Sequence, residues 1–150
     1  MEDSYVLQLK NRKFPEFYLC YCGYARCEPL HSFGPAVRPN YLLHLILSGK
    51  GRYRIGENAY DLEAGQGFLI MPEVQTFYQA DKDDPGTYIW IGFGGSRAQE
   101  YLSDIGLGSG QQVFRYEYTE RLKQMLVDIL KRNTYTIENE FYRESFLYAF

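Results

Sequence analysis

Between positions 5 and 93 the apolar residues come in short runs with a period of two, broken by Gly, Pro, Asn and Asp. Successive side chains of a strand point to opposite faces, so this pattern predicts an antiparallel all-β unit. The expected strands are 5–9, 17–22, 41–47, 51–55, 58–62, 67–70, 76–80 and 88–93, and eight short strands suggest a sandwich or barrel. Gly56-Glu57-Asn58 predicts a hairpin between 52–55 and 59–62, with glycine supplying a positive φ. In 88–93, alternation puts Tyr88, Trp90 and Gly92 on one face. The chain's single tryptophan thus stands beside a position without side-chain bulk, two ingredients of a small-molecule pocket.

After Phe93 the period lengthens. Ser96-Arg97-Ala98-Gln99 reads as a capping box that opens a short helix ended by Gly106. A Gly- and Ser-rich loop, Gly106-Leu107-Gly108-Ser109-Gly110, leads through Val113-Phe114-Arg115-Tyr116 to a second helix with Thr119 as its N-cap. There Leu122, Met125, Leu126, Ile129 and Leu130 recur at i, i+3, i+4, i+7 and i+8, opposite Arg121, Lys123, Asp128, Lys131 and Arg132. Such a stripe serves equally to pack on the chain's own β unit or on the same helix of a second subunit. A third helical segment begins at Ile137, with Phe141 and Tyr148 on its side. The apolar run Phe146-Leu147-Tyr148-Ala149-Phe150 has no C-cap glycine, which predicts that the protein continues beyond Phe150. The fold class is therefore mainly β with C-terminal α, a β unit at 1–95 and a helical segment at 96–150.

At 150 residues one domain is the default. A net charge of −3 lacks the basic footprint of a nucleic-acid-binding surface. No run of about 18 apolar residues occurs, and Met1-Glu2-Asp3-Ser4 does not open a signal peptide, so a cytoplasmic location is expected. Cys20, Cys22, Cys27 and His31 spell a possible zinc set. The one-residue gap between Cys20 and Cys22 instead fits alternate positions on one strand face and buried reduced thiols. The 15 tyrosines, each with an apolar face and a polar tip, suit carbohydrate or peptide contact as well as a β-rich core.

Tyr41-Leu-Leu-His-Leu-Ile-Leu-Ser-Gly-Lys-Gly-Arg-Tyr53, Asp61-Leu-Glu-Ala-Gly-Gln-Gly-Phe-Leu-Ile-Met-Pro72, Tyr78-Gln-Ala-Asp81 and Tyr88-Ile-Trp-Ile-Gly-Phe93, in this order, resemble the N-terminal effector domain of AraC/XylS-family transcription regulators. Upstream, Cys27-Glu-Pro-Leu-His-Ser-Phe-Gly-Pro-Ala-Val-Arg38 is similar to the segment before the barrel in the branch responding to oligosaccharides and glycosides. The resemblance implies a cupin-like double-stranded β-helix, or jelly-roll barrel, that binds a sugar, followed by a helical dimerisation hairpin. It also implies a helix-turn-helix DNA-binding domain beyond residue 150. DNA would be met only through that further domain, and control of carbohydrate uptake or catabolism genes, as an activator, is the implied role. In the arabinose-binding member a tryptophan on the corresponding strand stacks on the sugar, and Trp90 falls on that position, with Tyr78 and Tyr88 facing the same pocket. The clamping arginine of that protein aligns with Gly34, which leaves Arg38 as a displaced candidate.

A sugar needs one aromatic plane with donors and acceptors at its edge. Trp90 is the expected platform, with Arg38, His44, Tyr78 and Tyr88 as polar partners; His31 either orders a loop or touches the ligand. His44 lies between Leu42 and Ile46 in a strand apolar on both faces, where a structural histidine is the competing reading. Homodimerisation through Leu122, Met125, Leu126, Ile129 and Leu130 is expected. No metal, cofactor or catalytic residue is expected. Thr76 stands where metal cupins usually carry a histidine, and Ser48 or Glu63 lacks a catalytic companion in the sequence. A stand-alone sugar-binding cupin and a metal-dependent cupin enzyme are the alternatives.

Overall fold

The computed structural model describes residues 3–8, 14–36, 40–108, 111–116, 119–131, 138–139, 144–145 and 147, with backbone alone for 3–8 and 33–36. Among these the chain forms β1 Asp3–Gln8, β2 Tyr18–Arg26, β3 Ser32–Ala36, β4 Tyr41–Ser48, β5 Lys50–Ile55 and β6 Asn58–Glu63. There follow β7 Gln66–Ile70, β8 Thr76–Ala80, β9 Thr87–Gly94, α1 Ala98–Asp104, β10 Val113–Arg115 and α2 Thr119–Leu130. Two antiparallel sheets, ordered β1-β2-β9-β4-β7-β10 and β3-β8-β5-β6, make the jelly-roll barrel expected from the sequence. A hydrogen bond from the Tyr53 hydroxyl on β5 to the Leu69 carbonyl on β7, 3.0 Å long, ties one sheet to the other.

The strand β4 explains the layering. Leu42 and Ile46 point into the barrel, whereas Leu43 and Leu45 join a second core on the other face of the six-stranded sheet. That second core is closed by Ala98 and Leu102 of α1 and by Leu122, Leu126 and Ile129 of α2. The strands in the middle are therefore buried on both faces, and their near-continuous apolar sequence follows.

The stripe on α2 is spent within the chain. Leu122, Leu126 and Ile129 are 2%, 0% and 0% exposed, and α2 lies against β1, β2 and β4. Assigning these three to a subunit interface is therefore corrected, because their apolar area is already covered by the chain's own sheet. Met125 and Leu130 flank the stripe half-buried, packed on the same core.

Other differences have local causes. β2 runs on to Arg26 rather than ending at Cys22, because Gly23, which reads as a breaker, makes room for a ring. β2 also carries a bulge between Leu19 and Tyr21. The extra residue, Cys20, shifts the alternation, so Leu19 and Cys22 share the helix-side core and Cys20 and Cys22 are not simple alternates on one face. β3 reads as a loop because of its Gly and Pro, but on a sheet edge proline leaves no ladder bond unmade. β10 returns to pair with β7 after α1, so the sheet does not end near residue 95. The capping box is not formed. Arg97 is the N-cap of α1 without a side-chain cap, and the amides of Ser96 and Arg97 bond instead to the carbonyls of Pro15 and Glu16. Thr119 is the first helical residue of α2.

Most of the third predicted helix lies outside the described residues. Leu147 seals the helix-side core at 4% exposure. Half-buried Glu144, whose Oε2 has no hydrogen-bond partner among the described residues, has its pKa pushed up to about 7 by burial and then by Glu16. A carboxyl with a raised folded-state pKa binds its proton more tightly folded than unfolded. Its contribution is complete below the ordinary value of 4.5 and is lost as pH rises to about 7. Thermal unfolding of Glu144→Gln should therefore show a smaller fall in Tm between about pH 5 and about pH 8 than the parent protein. Equal falls would show that the proton on Glu144 is not linked to folding.

Candidate ligand-binding site

The inner faces of β2, β9 and β4 set the site. Trp90 on β9 is in register with Gly23 on β2 and His44 on β4. A Cβ on Gly23 would enter the six-membered ring of the indole, so the indole lies down over that glycine. The ring is half-buried, whereas Tyr88, Tyr78 and His44 around it are 4%, 2% and 1% exposed. An aromatic plane supported on one face by the sheet is one element that a stacking ligand requires.

From Trp90 a ladder of rings crosses the barrel. The His44 imidazole lies 4.9 Å from Tyr88, 6.0 Å from Trp90 and 4.7 Å from Phe68, almost parallel to the last. Phe68 in turn stacks on Tyr53 at 4.1 Å and on Tyr78 at 5.2 Å. Tyr78 meets Tyr88 edge-on, and its phenol ends over Gly51. Burial, with the neighbouring Cys27 thiol adding to it, raises the Tyr78 pKa, so this phenol is a neutral group able to donate at physiological pH. His31 Nε2 sits 3.2 Å from the Tyr88 hydroxyl, at the end of the barrel where β9 begins.

The structure thus gathers Trp90, Tyr88, Tyr78, His44 and His31 around one interior; Arg38 lies outside the described residues. Four participants were not identified from sequence: Tyr21, Gly23, Phe68 and Tyr53. Tyr21 and Gly23 were hidden by the bulge at Cys20, which moves them onto the inner face. Phe68 and Tyr53 carried an alternation signal, but no linear motif said which interior rings would meet. Among the described residues, His44 and Thr76 are the polar side chains buried in this part of the molecule. An interior made mostly of rings offers little to offset the desolvation of an ion.

The alternative chemistries find a different arrangement. Cys22 belongs to the helix-side core, Cys27 to the barrel interior, and Cys20 accepts a hydrogen bond from Asn40 Nδ2 at 2.8 Å. The three buried thiols and His31 therefore do not form one ligand set. No group of three or more His, Cys, Asp and Glu placed to hold a metal occurs among the described residues. A depression of about 740 Å³, with Leu30, Leu62 and Ala80 in its wall and Lys50, Arg52, Asp61, Glu63 and Arg115 around it, lies on the four-stranded sheet's side of the barrel. Its Arg52 and Asp61 are exposed and paired with each other at 2.9 Å, and it has no aromatic plane.

Fold and site together define a cupin-like barrel with an interior packed by aromatic rings. Residues 20–150 match the family described as the AraC-like ligand binding domain, and the chain belongs to that family. It is 40% identical over 112 residues to the Msm operon regulatory protein of Streptococcus mutans, covering 75% of this chain and 40% of that protein. It is 38% identical over 98 residues to the raffinose operon transcriptional regulatory protein RafR of Pediococcus pentosaceus, with coverage of 63% and 35%. Identity to the lactose operon transcription activator of Staphylococcus xylosus is 25% over 110 residues, with coverage of 73% and 39%. The chain spans about two fifths of the length of these regulators. Among solved structures, the protein YhaK from Escherichia coli superposes with a TM-score of 0.59 at 19% identity, covering 77% of this chain and 52% of that one, which supports the fold. No described helix is long and apolar enough to cross a membrane.

Proposed function

We propose that this chain is the sugar-sensing domain of a cytoplasmic regulator of carbohydrate genes, and that the sugar stacks on Trp90 inside the barrel. The observation that carries this reading is the half-buried indole laid over Gly23, with the Tyr88 ring 5.4 Å and the His44 ring 6.0 Å away. The operons named for two relatives are those for raffinose and lactose. Both sugars carry a terminal galactosyl unit. Its axial hydroxyl leaves one broad C–H face free for an aromatic plane, and its hydroxyl edge suits the Tyr88, Tyr78 and His31 groups. Arg38 is proposed to hydrogen-bond the sugar's hydroxyls.

The barrel acts here as a receptor, not a catalyst. Two copies of the protein associate through the helical region, where Met125 and Leu130 are the stripe residues with surface left. Sugar binding changes the populations of arrangements available to DNA-reading segments beyond this chain. A chain with one tryptophan carries its own reporter. Titrating galactose, lactose and raffinose should change the intrinsic emission saturably for at least one of them. Emission unaffected by all three would reject the galactoside reading.

A further inference from the structure

The bulge at Cys20 does more than break an alternation, because it turns Tyr21 and Gly23 together onto the barrel's inner face beside β9. In the ladder Tyr21 pairs with Gly92, and Gly23 with Trp90. The arrangement is reciprocal. A Cβ on Gly92 would enter the Tyr21 ring at Cζ, Cε1 and Cε2, as one on Gly23 would enter the indole. Each ring therefore lies on the glycine of the neighbouring strand, with one face against the sheet and the other toward the barrel interior. Tyr21 and Trp90 are both half-buried rings packed on the edge of the interior core. Across an antiparallel pair such diagonal neighbours stand about 7–8 Å apart, close enough for one extended ligand to reach both rings.

We propose that Tyr21 is a second stacking platform and that the effector is a di- or trisaccharide, one unit lying on Trp90 and the next on Tyr21. This rests on the sugar-binding reading and extends it from one sugar unit to two. A single pyranose covers one of the two rings, and the other would stay an open apolar face. Two joined units cover both. The phenol ring, not its hydroxyl, supplies the platform.

Calorimetric titration of galactose, lactose and raffinose into the parent protein, Tyr21→Leu and Tyr21→Phe tests this. Tyr21→Leu keeps apolar volume but removes the plane; circular dichroism establishes that each variant is folded. The parent should bind lactose or raffinose more tightly than galactose, and Tyr21→Leu should weaken that sugar about tenfold while leaving galactose within about twofold. Tyr21→Phe should behave as the parent. Equal weakening of all three sugars by Tyr21→Leu, or of none, overturns the second platform while the Trp90 site stands. Absence of binding by the parent protein overturns both.

Discussion

Leu126→Glu should leave the chain largely unfolded, not folded and merely monomeric. Leu126 has no exposed surface and sits in the core that α2 shares with β2 and β4. Removing a buried leucine side chain costs about 2–5 kcal/mol. A glutamate in its place must also be stripped of water as an ion or bind a proton, which adds to that loss. Against a typical domain stability of about 5–15 kcal/mol, the sum is enough to depopulate the native state. Far-ultraviolet circular dichroism through a thermal ramp checks this. A cooperative transition near the parent Tm, with a smaller mass in sedimentation, would return Leu126 to a subunit interface.

Trp90→Ala is expected to do the reverse: to keep the fold and remove the ligand. Burying a tryptophan completely makes its truncation cost about 3–5 kcal/mol, but this ring is only partly buried and leans on a glycine, so the loss should fall below that range. Stacking on the sugar has no substitute. The rings nearest the vacated place, His44 and Tyr88, are held in the ladder with Phe68 and Tyr78 and cannot lie down over Gly23. The variant should keep a cooperative unfolding transition and lose sugar affinity by about a hundredfold or more, as expected when an aromatic anchor at the centre of a contact is removed.

How far the sequence announced this can be traced residue by residue. The alternation of 41–47 and 88–93 gave both faces of the two strands that matter most, because each face is buried and period two is then enforced by packing. Trp90 and Tyr88 were legible as neighbours on one face for that reason, whereas Tyr78 entered through the family resemblance. What was illegible depended on non-local events. One inserted residue at Cys20 inverted the expected side of Tyr21, and no local propensity marks a bulge. Gly23 looked like a strand end because its purpose is supplied by Trp90, 67 positions away in a different strand. The start of α1 was set by backbone bonds to Pro15 and Glu16, which overrode the capping signal of Ser96. The stripe of α2 was legible as a stripe; its partner was not, because an apolar face does not encode whose surface will cover it.

The indole of Trp90 is proposed as the floor of a sugar site. Isothermal titration of raffinose and lactose into the parent protein and into folded Trp90→Ala tests it most directly. Saturable heat with at least one sugar for the parent, and none for Trp90→Ala under the same conditions, is the predicted result. Comparable binding by both proteins would contradict it and move the site away from Trp90.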